Sequence, residues 1–461
     1  MIYLMLSVLI AITLVTMIVE KGDIISPSFI FSGVFVFSTI WLVVFANEWD
    51  FSLHFNTFLV ITGGVLVFVL SCYLREKSHY SIKRSFKNNS NQSRILPIEI
   101  DNWKLALFVI IETFTVFYST YLKLQFAGGS FVTLFATMSS YRASVLIYGA
   151  EAATFPKWLN LLNSIVTSSG YWFAYVLANN YLCKKKINVL QLTAYLICVM
   201  GTVFTTSRGG TFDYLIAIII FFVVLTRVKS NKRRKTNFKT ILKIFLILAL
   251  FVVSLQAIGN LIGRGSEETV GDYLARYCGA EIANLDKYLN SRTTVTGNND
   301  LWGSQTFIYV IRWIGSKIGL QNTMYDLDLP FIKVNGKNLG NVYTTFYPYI
   351  YDFGYFGVVS LTAVMGLISS GIYQKVLKTG YDYKPNRYVL MYGFLLPTLA
   401  MSFFSNKFYE KLFNPSFMYT FIFWIVFEYM FCPKAKKKIK IFNRTRSITA
   451  QNNVVQINKS M

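Results

Sequence analysis

Thr205-Thr206-Ser207-Arg208-Gly209-Gly210-Thr211-Phe212-Asp213 is the stretch on which the reading of this chain turns. It sets an arginine, a glycine pair and several hydroxyls between two long apolar runs. A charge at membrane depth is costly, so such residues usually face a partner, a cavity or a substrate. The apolar runs on either side are near 188–206 and 211–227, each about the length that crosses a bilayer. Similar runs lie near 2–19, 27–46, 56–74, 104–125, 158–182, 244–262, 353–374, 388–405 and 416–432. The pattern predicts an all-α polytopic membrane protein of about eleven spans.

Composition agrees. Of 461 residues, 54% are hydrophobic and only 15% charged, against about 25% charged in soluble domains. The net charge of +23 would suit nucleic acid if aromatics were interleaved with the basic runs. They are not, and nucleic acid is not an expected partner. The basic residues instead cluster at alternate connections: 75–94, 184–186, 227–243, 375–387 and the tail from Lys434. By the positive-inside rule these face the cytoplasm, which leaves the N-terminus outside and the C-terminus inside. The basicity then reports topology and attraction to anionic inner-leaflet lipid. The first span lacks a basic n-region and a small-residue cleavage site, so it reads as a retained helix. Residues 75–103 are polar and read as a mobile loop. The five cysteines show no metal-ligand spacing and no paired framework.

The domain plan is a first helical part over 1–262, a large outer loop over 263–352, three spans over 353–432 and a basic cytoplasmic tail over 433–461. Within the first part, 126–157 follows a glycine break at Gly128-Gly129. Phe131, Leu134, Phe135, Met138, Val145 and Leu146 recur there at helical spacing. That predicts an outer interfacial helix near 130–147. Arg142 interrupts its apolar face, as a lipid-phosphate anchor or a substrate contact.

In the central segment, Gly209 and Gly210 are expected to let the backbone leave helical geometry. The next span would start near Thr211. Its N-terminal amides beside Arg208 would make an anion site, with Asp213 in the first turn to orient the arginine. The alternative is a capped turn whose arginine anchors the interface.

The outer loop opens with Gly263-Arg264-Gly265. Tyr273–Leu289 follows as one helix with apolar positions at 274, 278, 282, 285 and 289, and with Arg276, Glu281, Asn284 and Asp286 among its other positions. Phe307–Leu320 is too short and charged to span, so it is placed at the interface. The block from Gly340 to Gly357 is dense in tyrosine and carries Asp352. Each tyrosine alone suits an aromatic belt. The cluster with an acid suits sugar rings and their hydroxyls. Glu112, near the middle of the fourth span, is expected to pair with a buried base or hydroxyl.

Ser207-Arg208-Gly209-Gly210, the Tyr273–Leu289 run and the Asn341–Gly357 block with its Asp352-Phe353-Gly354-Tyr355-Phe356-Gly357 core together resemble the Wzy-type oligosaccharide repeat-unit polymerases. The plan of many spans and one large outer loop is similar too, so the resemblance covers most of the chain. It implies a GT-C-like membrane glycosyltransferase of the bacterial cytoplasmic membrane. Such an enzyme joins undecaprenyl-diphosphate-linked oligosaccharides into O-antigen, capsular or related polysaccharide at the outer face. It needs no cofactor. It also implies partners in the same pathway, a flippase and a chain-length regulator.

O-antigen ligases are similar in plan but carry a functional histidine upstream of a Gly-x-x-Gly. Tyr343 stands where that histidine would be, and His54 and His79 lie far away in sequence. On this reading Arg208 and Arg276, with Arg142 and Arg264, meet charge on the diphosphate. Asp352 takes the acceptor proton, with Glu281 second, and Tyr343 contacts sugar. Open alternatives are a lipid-linked oligosaccharide flippase or exporter, an O-antigen ligase, and a non-catalytic partner in envelope assembly.

Overall fold

The computed structural model describes residues 1–82, 95–147, 153–230, 270–291, 302–319, 329–334, 337–379 and 384–432. The expected span at 244–262, Arg264 and the basic tail lie outside these residues. The other ten expected spans are all helical. Among the described residues, six helices are long and apolar enough to cross a membrane. They are α1 (Ile2–Val19), α2 (Pro27–Phe45), α3 (Phe55–Ile82), α4 (Asn102–Phe126), α8 (Arg208–Lys229) and α12 (Phe346–Val376). The chain is therefore a mostly helical, membrane-embedded protein. The remaining helices are α5 (Leu134–Ile147), α6 (Lys157–Lys184), α7 (Val189–Phe204), α9 (Val270–Cys278), α10 (Ala280–Asn290), α11 (Ile308–Ile318), α13 (Arg387–Ala400), α14 (Lys407–Leu412) and α15 (Pro415–Phe431).

Helix starts follow local chemistry. Ser26 accepts the Phe29 amide at 3.4 Å, and Asn414 accepts the Ser416 amide at 2.9 Å. Each is followed by a proline at the first helical position, where no amide partner is needed. Asn188 and Asn386 cap α7 and α13 in the same manner.

The helices pack in two groups. In the first, α12 lies along α3, with α1 and α2 beside them. Small residues permit the close approach: a Cβ on Gly366 would stand 2.9 Å from the Phe68 carbonyl oxygen. Phe31 stacks on Phe68 at 4.0 Å, and Phe35 on Phe346 at 5.3 Å. In the second group α6 is central, enclosed by α4, α7, α8 and α15. Its run from Ser168 to Asn180 is buried throughout, as expected of a helix with neighbours on every side. Helix α13 joins the groups through α8, α12 and α2.

One end of the bundle is closed by a buried ion pair. Asp23, in the α1–α2 turn, lies 2.8 Å from Arg227 of α8, and their side chains are 0% and 5% exposed. Tyr373 of α12 accepts from Arg227 at 3.1 Å and donates to Asp23. Tyr392 of α13 donates to the Ile25 carbonyl. Four elements thus meet at one polar knot.

Several expectations are corrected. The polar stretch 75–103 is not one loop, because α3 continues to Ile82. Asn180 holds both the amide and the carbonyl of Ile98, at 2.7 and 2.9 Å. The run Tyr273–Leu289 is broken at Gly279, where a Cβ would stand 2.8 Å from the Leu42 backbone nitrogen. The corner presses into α2, and only glycine fits. The chain is not wholly helical: Ile332–Val334 and Lys337–Gly340 form an antiparallel pair.

The Gly-x-x-Gly motif has a geometric explanation. Gly354 has φ 63° and ψ −159°, a region open essentially to glycine alone, and it kinks α12. A Cβ on Gly357 would stand 2.3 Å from the Tyr349 carbonyl oxygen. Gly357→Ala is expected to cost about 1–3 kcal/mol by overpacking, read as a lower melting temperature in detergent.

Candidate functional site

The end of the bundle opposite Arg227 carries the candidate site. Helix α7 stops at Phe204, and the chain turns at Thr206, whose φ of 51° is left-handed. Ser207 then caps α8, accepting the Gly210 amide at 3.4 Å. Helix α8 begins at Arg208 rather than near Thr211. Gly209 and Gly210 are helical, and the break falls at Thr206 instead. Gly210 is required for space, since a Cβ there would stand 3.0 Å from Thr202 and 3.2 Å from the Ser207 hydroxyl. Arg208 is fixed as the first residue of α8; its side chain is outside the description.

Asp213 falls beyond the first turn. Its carboxylate receives Lys411 of α14 at 2.7 Å. Lys411 also donates to the Tyr171 hydroxyl at 3.0 Å and lies 4.3 Å from the Phe394 ring centroid. Burial lowers the Lys411 pKa, and Asp213 opposes that shift.

Arg142 on α5 reaches the same turn, with its guanidinium 3.5 Å from the Thr206 carbonyl oxygen, the outer limit of a hydrogen bond. A third element joins through Tyr309 of α11. Burial raises its phenol pKa most, Glu410 adds to that, and Lys407, Arg312 and Arg142 act against it. Lys407 binds Glu410 at 2.6 Å. Burial alone would lower the Lys407 pKa, yet Glu410 and its neighbours leave it raised. Four cations, Arg142, Arg312, Lys407 and Lys411, therefore stand among two acids, Asp213 and Glu410, on α5, α8, α11 and α14. An open groove of about 610 Å³ runs between the end of α4 and α5, and none of these four cations lines it. Phe126 and Ala127 give it apolar surface, and Thr133, Thr137, Ser140 and Tyr141 give it hydroxyls.

The other expected residues lie elsewhere at this end. Arg276 is half-buried on α9, its guanidinium 5.6 Å from the Tyr277 ring centroid. Helix α10 is buried on nearly every side, not on one stripe. Glu281 is fully buried, and neither carboxylate oxygen has a hydrogen-bond partner among the described residues. Burial pushes its pKa well above the usual carboxylate range. Asp286 receives the His54 backbone amide at 3.0 Å and lies 2.8 Å from His54 Nδ1. A histidine distant in sequence is thus adjacent to the outer helices. Glu112 is buried against the Ser169 hydroxyl and the Cys198 thiol, a hydroxyl partner as its position required.

Asp352 lies in the first part of α12, two residues before the kink at Gly354. Its carboxylate accepts two backbone amides, from Thr306 at 2.6 Å and Gln305 at 3.3 Å. Tyr343 is buried, stacked on Tyr347 at 4.3 Å, and donates to the Pro330 carbonyl at 2.9 Å. Both rings line a small cavity of about 30 Å³ that also touches Gln305, Ser405, Asn406 and Glu410.

The sequence reading missed Lys407, Glu410 and Lys411. The legible signal was Asn406-Lys407-Phe408-Tyr409-Glu410-Lys411, a charged hexamer between two apolar runs. Comparison with known proteins gives no match among family models, curated proteins or solved structures.

Proposed function

We propose that this chain polymerises undecaprenyl-diphosphate-linked oligosaccharide repeat units into a surface polysaccharide, as a GT-C-like membrane glycosyltransferase of about eleven spans. The reading rests on one observation above all. Arg142, Arg312, Lys407 and Lys411 converge from separate elements at the Arg208 end of the bundle. Clustered cations at one mouth of a membrane bundle suit a diphosphate headgroup, whose charge grows as the glycosidic bond breaks. A groove along α5, the helix that carries Arg142, has apolar and hydroxyl surface, which suits a substrate that is part lipid and part sugar. A hydroxyl of the acceptor attacks the anomeric carbon of the donor glycan, and lipid diphosphate leaves with the bonding electrons. The Arg208 end faces outward on this reading.

The test is purified protein mixed with lipid-linked repeat units. A ladder of longer products is expected; a flippase, exporter or scaffold gives none. Reporter fusions that place Arg208 and 270–352 in the cytosol would overturn the assignment. Arg208→Lys keeps the charge but loses the planar fork that grips phosphate. It is expected to slow ladder growth by about tenfold, the worth of one charge-assisted hydrogen bond.

The ligase alternative gains one specific observation. His54 stands at the same end, held by Asp286 through Nδ1. An ionised carboxylate can only accept, so Nδ1 donates to it. If the chain polymerises, His54→Gln should leave the ladder within about threefold of wild type, since the pair then only clasps α10 to α3 and loses about 1 kcal/mol at most. Transfer of a finished glycan to a different lipid, abolished by His54→Gln, would favour the ligase.

A further inference from the structure

Helix α11 leaves an apolar face open among the described residues. Trp313, Ile314 and Ile318 are 46%, 45% and 67% exposed. Ile314 and Ile318 are one helical turn apart, and Trp313 adjoins them along the chain. The opposite side is buried at Ile308 and Gly315, two turns apart. Large apolar side chains gathered on one exposed face mark a surface made for a partner. Eleven residues extend about 16 Å as a helix, roughly half of the ~30 Å hydrocarbon layer. The helix is too short to cross that layer, and its length and charge alone place it along a boundary. The structure identifies the face that meets the boundary.

The helix is held firmly at its start. Asp352 of α12 accepts the amides of Gln305 and Thr306, the two residues ahead of Phe307. Phe307 packs edge-on against Phe413 at 5.1 Å and Tyr409 at 5.5 Å. Helix α11 also touches α15, an apolar helix whose Met418 and Ile422 are 67% and 49% exposed. In a membrane-embedded bundle such exposed apolar side chains face lipid, so α11 borders the lipid-facing surface. One charge accompanies the apolar face. Lys317 is exposed, and its Nζ stands 3.8 Å from the Trp313 ring centroid. A lysine over a tryptophan suits the headgroup layer, where the amphipathic ring is at home and the ammonium reaches phosphate.

We propose that Trp313, Ile314 and Ile318 dock α11 into the headgroup layer of the bilayer, with Lys317 at the lipid phosphates. The short helix lies on the membrane while its neighbours cross it. Lipid is the occupant for three reasons taken together: the apolar face borders α15, the helix cannot span, and a cation stands over the exposed tryptophan. Docking has a consequence for the cation cluster. Arg312 is on the same helix, and its charge acts on Tyr309 together with those of Lys407 and Arg142. A docked α11 therefore fixes these cations near the level of lipid phosphates, whatever reaction they serve.

The experiment uses full-length protein in phosphatidylcholine vesicles, with and without bromine on the acyl chains close to the headgroup. Wild type is compared with Trp313→Phe, and the difference isolates the emission of Trp313. Bromolipid is expected to remove about half or more of that emission, and aqueous iodide to leave most of it, as for a ring in the interface. Quenching by iodide but not by bromolipid overturns the proposal, because the face then lies in water. Quenching by neither overturns it too, because protein then covers the face. That cover is a second copy if nanodiscs holding one chain restore quenching by bromolipid, and part of the same chain if they do not. Should Trp313→Phe fail to fold, a nitroxide on Ile318→Cys decides, read against the unsubstituted chain labelled in the same way. Stronger relaxation by oxygen than by a water-soluble nickel complex supports the proposal, and the reverse order sinks it.

Discussion

If the chain polymerises as proposed, replacing Arg142 and Arg312 together by glutamine is expected to slow polymer growth by about 10²–10⁴-fold. Each arginine supplies charge-assisted hydrogen bonds worth about 1.5–3 kcal/mol when the partner is ionised. Two such losses sum to about 3–6 kcal/mol, and each 1.4 kcal/mol is a factor of ten. Neither residue belongs to the helix core: both are half-buried, on α5 and α11. The folded protein should therefore keep its melting temperature to within a few degrees. Single substitutions should each cost about 10–100-fold, and the double should fall short of their product if both grip one diphosphate. The measurement is the initial rate of ladder growth against the concentration of lipid-linked unit. A double variant within threefold of wild type would remove the cation cluster from the reaction.

Asp23→Ala should destabilise the whole bundle without touching the candidate site. The substitution removes the carboxylate 2.8 Å from Arg227, whose side chain is only 5% exposed. Removing one member of a buried pair costs about 3–5 kcal/mol, because the remaining charge has lost its partner. The effect should be large here since Tyr373 bridges the same two groups and Tyr392 binds the adjoining turn. Tyr373→Phe should cost less, about 1–3 kcal/mol, by orphaning a buried donor and acceptor. Replacing Asp23 and Arg227 together by apolar residues should recover much of the loss. Unfolding in detergent by graded denaturant checks all three. An Asp23→Ala variant as stable as wild type would mean the pair contributes nothing.

These two predictions concern opposite ends of the bundle, and they differ in how far the sequence foretold them. The Arg208 turn was visible because an arginine and a glycine pair interrupted two apolar runs. The reason given for the glycines was wrong, since Gly210 serves close packing and Thr206 makes the break. The Asp23–Arg227 pair was not visible. Arg227 read as one more inner-face positive charge, and nothing local links it to a turn two hundred residues earlier. The same limit hid Lys411 as the partner of Asp213 and His54 as the partner of Asp286. The β-pair at Ile332–Gly340 had a local signal, Asn335-Gly336 between its two strands, of the kind that tight hairpins favour.

Periodicity and hydropathy by themselves determined the class: apolar runs of spanning length, a helix near Leu134–Ile147 and charge clusters at alternate turns. Those are properties of neighbouring residues, and the cost of exposing backbone in lipid leaves a helix as the main solution. The tertiary structure alone decided which charges meet. It gave Asp352 two backbone amides, buried Glu281 with no hydrogen-bond partner among the described residues and set Glu410 beside a cavity. Ion pairs and cavities form between segments far apart in the chain. Their identity depends on how the helices pack, and no local pattern encodes that.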